Sequence, residues 1–148
     1  SVEFIPCEQR ERTLAAIDVL LLAEPEARFL SPVKDRLELA QALLACGPLV
    51  VVLKLGSEGC LVATAEEMHH VPGFSVSVVD TVGAGDSFMA GLVSGLLDAG
   101  LLGDTAARER LQHAGLPDVR PAIDRALATS GITVTHAGAY APTREELA

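Results

Sequence analysis

Two short apolar runs, separated by a helical pattern, place the strongest limit on the fold of this chain. Residues 18–23 and 49–55 consist mainly of Leu and Val, and they have the length of strands that are covered on both faces. Between them, Ser31 and Pro32 predict the start of a helix that continues at apolar helical spacing until Gly47. A strand, a helix and a second strand predict a right-handed parallel crossover and therefore an α/β fold.

The pattern changes after the second run. Residues 60–64 and 68–71 are short and joined by a tight polar link, which predicts an antiparallel hairpin. Phe74, Val76 and Val78 then alternate with serines, and this alternation predicts a half-exposed strand.

A turn rich in small residues follows this segment, with the sequence Asp80-Thr81-Val82-Gly83-Ala84-Gly85-Asp86. The small residues at 83–85 let backbone N–H groups approach an anion closely, and the following helix adds the positive end of its dipole. Such a turn suits phosphoryl transfer. Asp86 has two interpretations, an ordinary helix N-cap or a general base.

The rest of the chain is predicted to be largely helical. The helix from Asp86 ends at Gly100, and its spacing predicts four buried side chains, Phe88, Leu92, Val93 and Leu96. Residues 103–121 are polar and are predicted as helix or loop. A last helix ends near Gly131, and residues 132–135 are predicted as a terminal strand.

Composition narrows the function classes. The formal net charge of -9 gives no electrostatic footprint for nucleic acid or an anionic membrane surface. Cys7, Cys46 and Cys60 are widely spaced and form no CxxC, which predicts buried thiols in a reducing cytosol. The chain shows no signal peptide, and Lys54 interrupts its longest strongly hydrophobic stretch, so we expect a cytoplasmic protein without a membrane span.

Two common nucleotide folds do not fit the glycine pattern. The sequence contains no Gly-x-x-x-x-Gly-Lys-Ser/Thr, which argues against a P-loop NTPase. The glycine after Gly85 is Gly91, so the Gly-x-Gly-x-x-Gly spacing of a dinucleotide dehydrogenase is missing as well.

The turn at residues 80–86 resembles the second signature of the ribokinase-like carbohydrate kinases of the phosphofructokinase B type. Three other segments are similar to this family and occur in its order, namely residues 23–26, 54–59 and 128–141. The resemblance implies a ribokinase-like, Rossmann-type three-layer αβα sandwich. It covers residues 1–148 as one partial domain, the carboxy-terminal ATP-binding half, with a mostly parallel sheet and a small antiparallel hairpin. The amino-terminal half, which carries the substrate site and the lid, has no counterpart here.

The resemblance implies an activity, the ATP-dependent phosphorylation of a sugar hydroxyl. Asp86 would act as the general base, and Gly83, Ala84 and Gly85 would form the anion hole. Fructose is the first acceptor to consider, and ribose, 2-keto-3-deoxygluconate and a nucleoside stay open. The isolated chain is expected to be inactive, and we expect a homodimer or association with the missing amino-terminal half.

The resemblance also assigns ligands. It places Lys54, Gly56, Gly59 and Thr81 at the nucleotide. Mg²⁺ would be held through water by Glu26. A monovalent cation such as K⁺ would be held by Asp80 together with backbone carbonyls of four residues: Val82, Thr133, His136 and Gly138.

Two residues depart from the family pattern, and the first of them, together with the absence of the substrate half, favours a second hypothesis. Ala23 stands where the family usually has Asn, so a water or phosphate contact is lost or supplied elsewhere. Lys54 stands where many members have Thr, and it would pair either with a phosphate or with Glu58. The alternative function is a non-catalytic nucleotide-binding or assembly module that retains the kinase fold.

Overall fold

The computed structural model describes residues 7–148. These residues form two compact units, the first ending at Pro72 and the second running from Gly73 to Ala148. All strands of the described residues lie in the first unit, and the regular elements described in the second unit are helices.

The first unit contains a four-stranded sheet with helices. Its elements, in chain order, are α1 (Cys7–Ala16), β1 (Val19–Ala23), α2 (Glu24–Leu30), α3 (Arg36–Ala45), β2 (Val50–Lys54), β3 (Cys60–Ala63) and β4 (Met68–Val71). The strand order is β1-β2-β3-β4; β1 and β2 are parallel, while the other two pairings are antiparallel. The two predicted apolar strands, their parallel pairing and the hairpin are confirmed. The sheet of the described residues is not mostly parallel as expected, because the hairpin pairs antiparallel with β2 and supplies two of its three pairings.

The core of the first unit surrounds β2. Val51 and Leu53 are fully buried and pack in one cluster with Leu39 and Leu43 of α3. A short run of β-branched and leucine side chains therefore forms a strand because neighbouring elements remove it from water.

The start of α3 differs from the prediction. Its N-cap is Asp35, whose carboxylate accepts the backbone N–H of Glu38 at 3.0 Å. Ser31, predicted as the N-cap, instead ends α2, and its N–H donates to the carbonyl of Ala27 at 3.1 Å. The seven-residue helix α2 was missed because it is too short to show a repeating apolar pattern.

The second unit is organised around two packed helices. Its elements are α4 (Ala84–Asp98), α5 (Ala107–Gln112) and α6 (Leu116–Thr133). A Cβ atom added to Gly95 would lie 2.4 Å from the Cα of Ala122, so glycine is what allows α4 to approach α6 this closely. Phe88, Leu92 and Leu96 are buried as predicted, whereas Val93 is 38% exposed, and its predicted burial is wrong.

Two predicted strands are absent from the second unit as the structure describes it. Residues 132–135 follow the helical pattern, because α6 continues to Thr133 and the N–H of Val134 donates to the carbonyl of Ser130 at 3.1 Å. Residues 74–78 form no strand, since the described residues offer them no strand partner. In both cases the residues favour a strand, but they pair with no strand among the described residues.

The cysteine prediction is partly wrong. Cys60 is buried, but Cys46 is exposed; the side chain of Cys7 lies outside the described side chains. No helix within residues 7–148 is both long enough and apolar enough to cross a membrane.

Candidate functional site

The glycine turn of the second unit ends at the N-terminus of α4. Gly83 is the N-cap and has a φ of 79°, a left-handed conformation that favours glycine. The space beside it is also restricted, since an added Cβ would lie 3.0 Å from the Cβ of Ala139. Gly83 is therefore required both by its backbone conformation and by its neighbour.

Two backbone N–H groups within the first turn of α4 are unused. The N–H of Ala84 donates to the carbonyl of Thr81 at 3.2 Å, and that of Ser87 donates to the carbonyl of Gly83 at 2.9 Å. The N–H groups of Gly85 and Asp86, both on exposed residues, have no acceptor among residues 7–148. Free amides at the positive end of a 15-residue helix are a favourable place for an anion.

Asp86 lies within the first turn of α4. It is the third helical residue and not the N-cap, so the N-cap interpretation is wrong. Its side chain is exposed, and no group in the described part of the chain donates a hydrogen bond to its carboxylate. A carboxylate without a partner beside free amides is available for chemistry.

Asp80 connects the turn to the segment after α6. One carboxylate oxygen accepts the N–H of Val82 at 3.0 Å, and the other accepts the N–H of Gly138 at 2.9 Å. These backbone donors, chiefly that of Val82, lower the pKa of Asp80. The carbonyl of Val134 reinforces the connection by accepting the N–H of Val79 at 2.7 Å.

The carbonyls predicted to hold a monovalent cation belong to this same unit. The carbonyl of Thr133 accepts the N–H of His136 at 3.1 Å, and that of Gly138 accepts the N–H of Tyr140 at 3.0 Å. A carbonyl oxygen has a second lone pair, so these bonds leave each oxygen able to bind a cation. No group of three or more His, Cys, Asp or Glu in residues 7–148 is arranged to hold a metal ion.

The side chain of Thr133 is a site feature that the sequence analysis missed. It is fully buried, and its hydroxyl lies 2.7 Å from the Ser87 hydroxyl, 3.0 Å from the Thr129 carbonyl and 2.9 Å from the Tyr140 carbonyl. One hydroxyl thus connects the first turn of α4, the end of α6 and the segment that follows. The available signal was a pair of threonines, Thr129 and Thr133, four residues apart on a helix face that is otherwise apolar.

A second feature missed from the sequence is an aromatic pair. The rings of His136 and Tyr140 are stacked, with centroids 3.6 Å apart and an angle of 6° between the planes. The Tyr140 hydroxyl donates to Glu146, with oxygen distances of 2.9 and 3.1 Å. Glu146 raises the pKa of Tyr140, while the N–H of Thr143 and then the Tyr140 hydroxyl lower the pKa of Glu146.

In the first unit, Lys54 is the last residue of β2 and is half-buried. No carboxylate of the described residues lies within ion-pair distance of its ammonium group, and Glu58 pairs with Arg36 at 2.9 Å instead. The pairing of Lys54 with Glu58, which the sequence left open, is therefore not formed.

The turn after β2 contains both predicted glycines. Gly56 and Gly59 have φ values of 61° and 93° at the ends of a short 3-10 turn. Arg36 holds this turn to the start of α2, because it pairs with both Glu58 and Glu24. The guanidinium lowers the pKa of Glu24, and the two carboxylates raise the pKa of Arg36.

Glu26 is exposed and caps α2. Its Oε2 atom accepts the backbone N–H of Ala23 at 2.7 Å. The other carboxylate oxygen has no hydrogen-bond donor among the described residues and is accessible to a water molecule or an ion.

Comparison with known proteins identifies the family of this chain. The model of the pfkB family carbohydrate kinases matches residues 3–146. This chain belongs to the pfkB family of carbohydrate kinases, which are phosphotransferases with an alcohol group as acceptor. Likeness to solved kinase structures also confirms the ribokinase-like α/β fold.

Three relatives show how much of such a protein this chain spans. A fructokinase from Escherichia coli is 37% identical over 140 residues, covering 92% of this chain and 42% of that protein. A fructokinase double mutant from Vibrio cholerae O395, with fructose, ADP and potassium ion bound, is 28% identical with a TM-score of 0.77 and covers 95% and 43%. An aminoimidazole riboside kinase from Salmonella enterica, complexed with aminoimidazole riboside and an ATP analog, is 29% identical with a TM-score of 0.75 and covers 95% and 44%. The chain thus spans less than half of each relative.

Proposed function

We propose that this chain is the carboxy-terminal, nucleotide-binding half of a kinase that transfers the γ-phosphate of ATP to a sugar hydroxyl. The observation that carries the proposal is the N-terminus of α4, where the free N–H groups of Gly85 and Asp86 adjoin the exposed Asp86 carboxylate. The isolated chain is inactive in this proposal, because the other half of the kinase domain supplies the sugar site.

The proposed reaction depends on positioning and charge. The Asp86 carboxylate accepts the proton of the sugar hydroxyl as the hydroxyl oxygen attacks the γ-phosphorus. The N–H group of Gly85 and the dipole of α4 stabilise the negative charge that develops on the phosphoryl oxygens. Of the three predicted anion-hole residues, Ala84 mainly shapes the turn, since it already donates its N–H to Thr81, whereas the N–H of Gly83 has no acceptor among the described residues.

The carboxylate of Glu26 provides an oxygen that suits a magnesium site. One of its carboxylate oxygens caps α2, and the second is free to hold a water ligand of Mg²⁺, a cation that prefers oxygen ligands and keeps several waters. Bound Mg²⁺ would neutralise phosphate charge.

A monovalent cation suits the oxygens near Asp80. The proposed ligands are one carboxylate and the carbonyls of four residues, Val82, Thr133, His136 and Gly138. Such a set of oxygen donors with a single negative charge matches K⁺ better than a divalent ion. The potassium ion in the Vibrio cholerae fructokinase structure supports this part of the proposal.

The proposed nucleotide contacts are Lys54, Gly56, Gly59 and Thr81. Lys54 is suited to a phosphate, because the described residues provide no carboxylate partner for its ammonium group. The ADP and the ATP analog in the two kinase structures support nucleotide use.

Fructose is the proposed acceptor because the Escherichia coli relative is a fructokinase. A cytoplasmic location, predicted from the cysteine pattern, remains part of the proposal.

One observation favours the alternative of a non-catalytic nucleotide-binding module. Ala23 has no polar side chain, and its N–H is already bound to Glu26, so this position offers the nucleotide no donor. The module would keep the amides of α4 for phosphate binding and lack transfer activity.

The test uses a chimera in which the amino-terminal part of the Escherichia coli fructokinase precedes this chain. Fructose-dependent ADP release is expected, and Asp86→Asn is expected to lower kcat by about 10²–10⁴-fold. Glu109→Gln, at an exposed position on α5, is the matched control and should leave kcat unchanged. Full activity of Asp86→Asn would overturn the assignment of the base. ATP binding without ADP release, for every sugar tested, would favour the binding module.

A further inference from the structure

A single guanidinium connects the start of α2 to the turn after β2. Arg36, the first residue of α3, places its Nε and Nη2 atoms 2.5 and 3.2 Å from the two carboxylate oxygens of Glu24. Its Nη2 atom also lies 2.9 Å from Oε2 of Glu58. The planar fork of donors holds Glu24 through both oxygens, so it fixes the direction of this contact as well as its distance.

Each of the two carboxylates lies beside a different part of the proposed site. Glu24 is two residues before Glu26, whose second carboxylate oxygen suits a water ligand of Mg²⁺. Glu58 belongs to residues 56–59, defined here as the nucleotide turn, which contain two of the proposed nucleotide contacts. The guanidinium of Arg36 therefore lies between the proposed magnesium position and the nucleotide turn.

The strand pairing of β1 with β2 does not reach these carboxylates. The parallel register ends at Ala23 and Lys54, the last residues of the two strands. Glu24 and Glu58 both lie beyond it, so their relative position depends on contacts outside the sheet. Arg36 provides such a contact to each of them.

Each of the connected segments is also held by bonds of its own. In the nucleotide turn, the N–H of Gly59 donates to the carbonyl of Gly56 at 3.1 Å. The Nε2 atom of His70 lies 2.6 Å from the carbonyl oxygen of Glu58, and since that oxygen can only accept, Nε2 donates. The start of α2 is closed by its own capping contact. Loss of Arg36 is therefore expected to leave both segments folded and to change their relative position.

Stability gives little reason for this arrangement. The side chains of Arg36, Glu24 and Glu58 are 41%, 22% and 57% exposed, and ion pairs in contact with water contribute little to folding. A magnesium site shared with phosphates is more demanding, because Mg²⁺ requires nearly ideal octahedral geometry and therefore a fixed separation of its ligands.

We propose that Arg36 is a positioning residue that holds the Glu26 carboxylate at a fixed place relative to the nucleotide turn. Magnesium and the phosphates of the nucleotide then bind as one coupled unit. This role rests on the proposed function, and Arg36 itself touches neither the metal nor the nucleotide.

The affinity for ATP, measured with Mg²⁺ and with EDTA, tests the proposal. Isothermal titration of this chain gives the Kd for ATP in each condition, and the ratio of the two values measures the coupling between metal and nucleotide. Arg36→Lys keeps the positive charge but loses the planar fork. In this variant we expect the ratio to fall about fivefold, while the Kd for ATP in EDTA stays within about twofold of the wild type.

Two further variants separate positioning from a general structural effect. Arg28→Lys is the matched control, because among the described residues Arg28 pairs with Glu24, at 3.5 Å, and not with Glu58; its ratio should equal that of the wild type. Glu26→Gln removes the proposed magnesium ligand, and adding Arg36→Lys to it should lower the ratio no further. A structural effect alone would weaken ATP binding equally in both conditions.

Three outcomes would overturn the role of Arg36. They are a wild-type ratio in Arg36→Lys, a further fall of the ratio in the double variant with Glu26→Gln, and a wild-type chain whose ATP affinity does not respond to Mg²⁺. If Arg36→Lys does not fold, Glu58→Ala breaks the other end of the connection. A lowered ratio in that variant supports the role, and an unchanged ratio overturns it.

The same titrations separate this role from the proposed function. ATP binding with an unchanged ratio in Arg36→Lys would leave the nucleotide site intact and overturn the role of Arg36 alone. If neither this chain nor the chimera binds ATP in either condition, the nucleotide site itself is contradicted, and the role of Arg36 is overturned with it.

Discussion

The carboxylate of Asp80 accepts the backbone N–H of Gly138 at 2.9 Å and thereby joins the turn before α4 to a segment 58 residues further along the chain. Its second oxygen holds the N–H of Val82 at 3.0 Å. A single side chain thus fixes both the shape of the glycine turn and its position against the residues after α6. The conformation of the glycine turn depends on this pair.

Removal of the Asp80 side chain is expected to loosen both of its partners. In Asp80→Ala, the N–H groups of Val82 and Gly138 lose their acceptor, so their hydrogen exchange should become faster. The N–H of Ala106, which is held by Asp104 at 2.9 Å, is the internal control and should not change. Unchanged exchange at Gly138 would show that Asp80 does not hold this segment.

The buried hydroxyl of Thr133 is expected to stabilise the second unit. Thr133→Val keeps the shape but removes the hydroxyl that lies within hydrogen-bond distance of Ser87, Thr129 and Tyr140, and we expect the free energy of unfolding to fall by about 1–3 kcal/mol. Thr129→Val is the matched control, because the Thr129 hydroxyl has only a local bond to the Arg125 carbonyl at 2.7 Å among the described contacts. Urea denaturation of both variants measures the difference, and equal losses would contradict the bridging role of Thr133.

The close approach of α4 and α6 is expected to depend on Gly95. In Gly95→Ala the new methyl group would meet the Ala122 backbone, and we expect a cost of about 1–3 kcal/mol despite the better helix propensity of alanine. Gly131→Ala in α6 is the control, since its added Cβ would have ordinary contacts at 3.7 and 3.8 Å with Phe74. Thermal unfolding should separate the two variants, and a more stable Gly95→Ala would contradict the packing account.

Asp104 is expected to contribute pH-dependent stability. Its pair with Arg110, followed by the N–H of Ala106, lowers the pKa of this carboxyl in the folded state. The unfolded state then binds more protons, so the contribution is present above the unfolded pKa of about 3.9 and is lost as the pH falls through the folded pKa.

The corresponding measurement is the Tm of wild type and Asp104→Asn at several pH values. The wild type should have the higher Tm near neutral pH, and the difference should shrink between about pH 5 and pH 2. Because both side chains are exposed, added salt should also reduce it. Glu109→Gln serves as the control, and a Tm difference for Asp104→Asn that does not depend on pH would contradict the assignment.

The sequence predicted those elements whose signals are local and strong. The sequence alone predicts the apolar runs of β1 and β2, the β3–β4 hairpin, and the glycine turn with its apolar helix. The prediction of a strand at residues 132–135 is wrong. All four residues are β-branched, which favours a strand, but helix α6 continues through Thr133.

The contacts around the candidate site were harder to predict, because they join residues far apart in sequence. Nothing local marks Arg36 as the partner of both Glu24 and Glu58, or the Thr133 hydroxyl as the partner of Ser87. The site assignments came from the family resemblance. The N–H groups of Gly85 and Asp86, which have no acceptor among the described residues, give a physical reason for one of these assignments, the anion hole at the N-terminus of α4.

The most direct measurement of the central claim is an amide NMR titration of the isolated chain with MgATP. The account predicts that the resonances of Gly85 and Asp86 show large, saturable shifts, because these N–H groups receive the phosphate. Ala106, whose N–H is already bound to Asp104, should show none. Saturable binding that leaves Gly85 and Asp86 unshifted would contradict the claim that the N-terminus of α4 is the phosphate site.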